Sequence, residues 1–195
     1  MDYLIDTKSG INSGGLTEFI RSKLKEFKDA KKVLVIHPDY TRLDFTSSLI
    51  QPIIDSFKYR QVIKIDFLNA GGTHRKMTES EIASKLGIRL KEDFISHYNH
   101  EFDKKEKLIK IGEISADFVR EKTKGQVNDP IPVTVNKMLF DDYDLIIALS
   151  GTSPHEAAGF SGGLKIFFPG VSGPEVINLF HWAAVLVGLP YIIGT

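Results

Sequence analysis

Three stretches rich in aliphatic and β-branched residues, KKVLVI (31–36), QVIKIDFL (61–68) and YDLIIALS (143–150), are each followed at once by a polar loop. Segments with helical periodicity separate them. A chain that alternates buried strands with amphipathic helices has few ways to fold, because each strand must be joined to a parallel neighbour by a helix crossing a face of the sheet. The fold class that follows is α/β: a Rossmann-like three-layer sandwich with a mostly parallel sheet, in one domain over residues 1–195.

The helical segments have recognisable ends. LTEFIRSKLKEF (16–27) places Leu16, Phe19, Ile20, Leu24 and Phe27 on one face after a Ser-Gly-Gly start. Leu49, Ile50, Ile53, Ile54 and Phe57 repeat that spacing, with Pro52 expected in a first turn or at a kink. TESEIASKLG (78–87) opens with a capping box, Thr78 to Glu81, and Gly87 stands where a helix would end. KLIKI (107–111) and VTV (133–135) read as further strands. Pro174 suits a first helical turn ahead of the stripe Val176, Ile177, Phe180, Ala184 and Val187.

Lys plus Arg (25) balance Asp plus Glu (25), and no long block of one sign occurs, so nucleic acid and anionic membranes are disfavoured as partners. The basic run from Arg21 to Lys32 is interrupted by Glu26 and Asp29 and reads as a solvated helix face. With no cysteine, disulfides and thiolate metal sites are excluded, and any metal must take imidazole, carboxylate or a non-protein ligand. No secretory start precedes the first helix and no apolar run approaches the ~20 residues of a spanning helix. The expected location is the cytoplasm.

The chemistry collects in the three loops after the strands: HPDYTR (37–42), NAGGTHR (69–75) and GTSPHEAAGFSGGLK (151–165). In open α/β sheets ligands bind beyond the carboxyl ends of the strands, so loops far apart in sequence can face one site. Asp39 and Arg42 either close a turn as a local ion pair or leave Arg42 to grip a carboxylate or phosphate with its planar fork, Thr41 adding a hydroxyl. Gly71, Gly72 and Thr73 would let backbone N–H groups approach an anion, with His74 as acid/base; the alternative is a glycine turn with an exposed histidine. In the third loop, glycines 159, 162 and 163 allow close backbone approach around Lys165 and beside His155; the alternative, a flexible surface loop, explains the glycines but not the dense polar set. His181, at the edge of the last helical stripe, is open between structural imidazole and metal ligand. His97 and His100 read as surface or supporting residues, and His37 as structural.

HPDYTR, NAGGTHRKMTESE, YNHEFDKKEKLIKIGE and PHEAAGFSGGLKIFFPGVSGPEVINLFH resemble, in the same order, motifs of the nickel-pincer nucleotide lactate racemase family. The resemblance implies that Lys165 bonds covalently to a pyridinium-derived nucleotide holding nickel through a carbon–sulfur pincer, and that His181 completes the metal's coordination. It implies that His74 and His155 alternate as base and acid, that Arg42 contacts substrate or cofactor, and that Asp39, Tyr40, Thr41, Arg42, Gly162 and Gly163 help form the cofactor pocket. The implied activity is racemisation or epimerisation of a short 2-hydroxy acid: hydride passes from Cα to the cofactor, a histidine takes the hydroxyl proton, and return to the opposite face of the transient keto acid inverts the centre. Two positions depart from the common pattern, Gly72 and Leu164.

By the same resemblance the chain corresponds to the family's N-terminal domain. The C-terminal domain that closes the site is then absent from it, to be supplied by a partner or replaced by another copy in a homo-oligomer, and the apolar stretch Leu186–Ile193 is expected to lie against it. Two other classes compete: a noncatalytic nucleotide- or anion-binding module using the same glycine loops, and a zinc hydrolase with His74, His155 and His181 as ligands. The last leaves Lys165 without a role and lacks H-E-x-x-H.

Overall fold

KKVLVI becomes the centre of a sheet because six consecutive residues from Val33 to Pro38 are buried, as befits a strand covered on both faces. The computed structural model describes residues 13–58, 60, 62–88, 92–155 and 159–188. In chain order the elements are α1 (Ser13–Leu24), β1 (Lys32–Pro38), α2 (Thr46–Lys58), β2 (Lys64–Ala70), α3 (Glu79–Leu86), β3 (Ile95–Tyr98), β4 (Leu108–Ile114), α4 (Ala116–Lys122), β5 (Ile131–Asn136), β6 (Leu145–Ala148), β7 (Ser153–His155), β8 (Gly159–Ser161) and α5 (Pro174–Val187). The apolar stretch expected to meet a further domain lies, from residue 189 on, outside the described residues.

The main sheet has four parallel strands in the order β3-β2-β1-β6. The chain walks outward from β1 through β2 to β3, then returns to add β6 on the other side of β1. That reversal is a topological switch point: the connections leaving β1 and β6 diverge above their carboxyl ends and open a crevice between them.

One face of the sheet is covered by helices. Ile50, Ile53, Ile54 and Phe57 of α2, with Leu24 of α1 and Ile82 and Leu86 of α3, pack on Val33, Val35, Ile65 and Phe67. The other face, where Leu34, Ile36 and Leu68 project, is closed by Ile166, Val171 and Phe167 and by Met138 and Leu139, residues of short 3-10 turns and loops rather than of a second helical layer. The two-faced cover expected for an α/β sheet is present, with its second layer unlike its first.

Local signals set several boundaries. Thr78 accepts from the backbone N–H of Glu81 while the Glu81 carboxylate accepts from that of Thr78, and Gly87 ends α3 in the left-handed region at φ 68°. Pro52 stands in the interior of α2 rather than in its first turn, because the helix begins at Thr46 and passes through it. The strands expected near 107–111 and 133–135 form, but as a separate antiparallel pair, β4 with β5, whose outer strand is largely exposed. Among the described residues no helix is long and apolar enough to cross a membrane.

Candidate functional site

The crevice at the switch point has a volume of about 260 Å³, near the lower end of the range of small-molecule sites. Arg42 lines it from the loop after β1, His74 from the loop after β2, His155 and Lys165 from the segment after β6, and His181 from α5. Asp39 and Gly162 line it as well, whereas Tyr40, Thr41 and Gly163 are not among its walls.

Asp39, 2% exposed, follows directly on β1. Its Oδ1 accepts from the backbone N–H and the hydroxyl of Thr41, at 3.1 and 2.6 Å, and its Oδ2 stands 2.6 Å from Nδ1 of His74. An ionised carboxylate can only accept, so the imidazole must carry a hydrogen on Nδ1, and in its neutral form it presents Nε2 as a proton acceptor. Asp39 therefore uses both oxygens on Thr41 and His74, and the carboxylate–guanidinium pair with Arg42 does not form; the two residues meet only through a backbone bond, Arg42 N–H to Asp39 C=O at 3.3 Å. Tyr40 lies under Arg75, with the guanidinium 4.3 Å from the ring centroid, and Arg75 forks onto Glu81 of α3.

The glycines join the loops to one another. Gly72, at φ 54°, donates its N–H to Gly170 C=O at 2.8 Å, tying the His74 loop to the segment after Lys165. Gly162, at φ 84°, passes so close to the carbonyl of Gly151 that a Cβ there would overlap it. Lys165 lies on a single 3-10 turn, Gly163–Ile166, anchored by buried Ile166, and its ammonium is 6.0 Å from the centroid of Phe180. His155 ends β7, and residues 156–158 after it lie outside the described residues. His181 is exposed on α5, its ring 5.8 Å from that of Phe180.

The YNHE segment does more than the sequence suggested. His100 is 2% exposed: Nε2 donates to Ser172 C=O at 2.9 Å, Nδ1 accepts from the Asn136 amide at 3.2 Å, and its backbone N–H donates to Asn69 Oδ1 at 2.6 Å. Asn99 holds Met77 from both sides, accepting from its N–H at 2.8 Å and donating to its C=O at 3.2 Å. These side chains fasten the loop of His74 and the segment leading into α5 to the end of β3. His97 is also no surface residue, its Nε2 standing 3.1 Å from that of buried His37. Reading His97 and His100 from sequence as surface or supporting positions is thus corrected toward the buried side. The only local signal was the cluster itself, His97 within ISHY and Asn99 and His100 directly after it.

Burial pushes the His37 imidazole down to about 4, and burial with His37 beside it pushes His97 down to about 3. Burial also lowers His100. All three are neutral, structural imidazoles at neutral pH. Among the described residues no group of three or more His, Asp or Glu is placed to hold a metal ion, so His74, His155 and His181 do not form the three-ligand set a zinc hydrolase would need.

The model of the lactate racemase N-terminal domain matches residues 13–188. Lactate racemase of Lactiplantibacillus plantarum is 30% identical over 165 residues, and that of Thermoanaerobacterium thermosaccharolyticum 26% identical over 163; each match covers 82% of this chain and 34% of the relative. A crystal structure of a Thermotoga maritima protein superposes with a TM-score of 0.90 at 43% identity, covering 95% of this chain and 44% of that one. The chain thus spans about a third of the length of the curated relatives it matches. With the motifs in order, the sheet topology and the match over nearly the whole chain, the protein belongs to the lactate racemase N-terminal domain family.

Proposed function

We propose that this chain is the cofactor-bearing part of a cytoplasmic racemase or epimerase of a short 2-hydroxy acid. The observation that carries the reading is the gathering of a guanidinium, an amine and three imidazoles around one open space, one imidazole held by a buried carboxylate in the tautomer a proton acceptor needs. A passive anion-binding module has no use for that fixed tautomer.

The donor set fits a nickel-pincer nucleotide: Lys165 offers the amine for covalent attachment and His181 on the adjoining helix a nitrogen for the metal, both as walls of the one crevice. When bound, that group supplies the acceptor and donor of the substrate's Cα hydride. The remaining work falls to the chain. Arg42 pairs with the substrate carboxylate through two parallel N–H···O bonds, which fixes the hydroxyl relative to the histidines. With that group bound, Nε2 of His74 would take the hydroxyl proton as the Cα hydrogen departs with the bonding electron pair, leaving a planar keto acid. His155 returns a proton when the opposite face is reduced, and the two exchange roles for the other enantiomer, a task that suits imidazole near neutral pH. Asp39 stabilises the imidazolium that forms on His74, as in other carboxylate–histidine pairs.

Turnover in this reading needs the crevice closed by a further domain, or by a partner chain or second copy in its place. Leu43, a wall of the crevice, is fully exposed, and Leu164 and Trp182, next in sequence to Lys165 and His181, are exposed as well. The test is to produce the chain together with the cofactor-making enzymes and measure intact mass and nickel. A mass increment and bound nickel are expected, with the increment lost in Lys165→Arg, since a guanidinium keeps the charge but not the nucleophilic amine. Adding the separately produced second domain should then restore exchange between lactate enantiomers. A chain that takes up neither adduct nor nickel would leave only the anion-binding reading.

A further inference from the structure

The loop that carries Arg42 has almost nothing apolar to hold it. Thr41, Arg42, Leu43 and Phe45 are all exposed, Leu43 fully and Phe45 at 79%. Its first end is fixed by Asp39 on Thr41. At its other end a buried ammonium takes over: Nζ of Lys85, on α3, donates to the backbone C=O of Arg42 at 2.6 Å and to Oδ2 of Asp44 at 2.8 Å. The side chains of Lys85 and Asp44 are only 9% and 7% exposed. Asp44 Oδ1 in turn accepts from the N–H of Thr46 at the start of α2.

Burying an ion pair is a poor way to gain stability, because desolvation offsets most of the attraction. Such a pair does fix geometry, and here the donor reaches the peptide of the residue whose guanidinium faces the crevice. The approach is built into the backbone. Gly87, just after α3, lies against Ser47 of α2, where a Cβ would stand 2.9 Å from the Ser47 Cβ, and this contact brings Lys85 level with Asp44. Asp44 also backs Gly151 across the crevice, its Cβ 3.5 Å from where a Gly151 Cβ would be. The first turn of α3 is clamped to the His74 loop through Arg75 and Glu81. One short helix thus braces the loop of His74 at its N-terminal end and the loop of Arg42 at its C-terminal end.

We infer that Lys85 is a positioning residue for carboxylate recognition: through its bond to the Arg42 carbonyl it sets where the Arg42 guanidinium meets a 2-hydroxy acid. The inference rests on the reading of Arg42 as the substrate's carboxylate contact. The double variant Lys85→Met/Asp44→Asn tests it, because it leaves no buried unpaired charge and keeps an amide oxygen for Thr46. Sodium L-lactate is titrated into the 195-residue chain while the backbone amide signals of Gly71–His74, which line the crevice in every variant, are followed by NMR, alongside Arg42→Ala and the core variant Ile53→Val. Lactate affinity should fall about tenfold in the double variant, in line with the cost of a displaced binding group, and should be unchanged in Ile53→Val. Wild-type affinity in the double variant, with Arg42→Ala weakened, would overturn the role of Lys85 and leave that of Arg42 standing. Wild-type affinity in Arg42→Ala, or no binding by the wild type, would remove both.

Discussion

Oδ2 of Asp39 and Nδ1 of His74 stand 2.6 Å apart across 35 residues of sequence, and the other oxygen of Asp39 is occupied by Thr41. This arrangement makes an Asp39→Asn variant unusually informative. Two Thr41 donors would hold the amide oxygen, turning the NH₂ toward His74, so Nδ1 would have to accept and the ring hydrogen would move to Nε2. Histidine ¹⁵N correlation spectra should show the tautomer reversed with the fold unchanged, and activity of the loaded, completed enzyme should fall roughly 10²- to 10⁴-fold, the range of a lost general base. An unchanged His74 tautomer in the variant would refute this account of the pair.

Acid should unfold the protein early. Nδ1–H of His37 donates to Pro38 C=O at 2.8 Å, so in the neutral pair its Nε2 accepts and His97 donates. Unfolded imidazoles titrate near 6.5, whereas His37 and His97 are held at about 4 and about 3 when folded. The folded-state values are depressed, so the unfolded chain binds protons that the folded chain refuses. Stability is full above about pH 6.5 and falls as pH drops toward 4, by about 3 kcal/mol from His37 alone. Urea midpoints between pH 7.5 and 5 should show about 2 kcal/mol of this loss from His37. In His97→Gln the slope should be shallower by about one proton, ~1.4 kcal/mol per pH unit; equal slopes would show that His97 is protonated in the folded state.

How much of this was readable beforehand depended on how local the cause was. Both ends of α3 were legible because Thr78, Glu81 and Gly87 act within their own helix, and the parallel sheet was legible because VLVI and its counterparts are buried on both faces. The strand β3 was not, since ISHY is short and half polar and becomes a strand only through pairing with Ile65–Leu68. The motifs marked which side chains meet at the crevice. The Asp39–His74 bond and the Lys85–Arg42 contact have no local signature, because each joins a loop to a segment at least 35 residues away. Burial of His97 and His100 is likewise a property of the folded neighbourhood rather than of YNHE.

Two neighbouring glycines should respond differently to alanine. Gly162 and Gly163 both have positive φ, 84° and 57°, at a cost of about 1–2 kcal/mol for a side chain. At Gly163 nothing lies within 4 Å of the added Cβ, while at Gly162 it would overlap the Gly151 carbonyl and force the crevice loops apart. Chemical denaturation should therefore place Gly162→Ala well below Gly163→Ala in stability. Equal losses would mean that backbone strain, and not the close approach of the two loops, makes Gly162 necessary.

Asn99 should govern the mobility of the His74 loop. Its Oδ1 accepts from Met77 N–H and from the Asn69 amide, at 2.8 and 3.0 Å, and its Nδ2 donates to Met77 C=O, so truncation leaves several polar groups without partners at once. Each buried group so orphaned costs about 1–3 kcal/mol, less where water can enter, and Asn99 is only half-buried. Asn99→Ala is therefore expected to lower global stability by about 2 kcal/mol. The local effect should be larger than the global one: amide hydrogen exchange in residues 72–77 should accelerate well beyond that of β1 at the centre of the sheet, because the loop has few apolar contacts other than buried Met77. Uniform acceleration across both segments would show Asn99 to be a general stabiliser, and unchanged exchange in the loop would show that its glycine link to Gly170 suffices to hold His74.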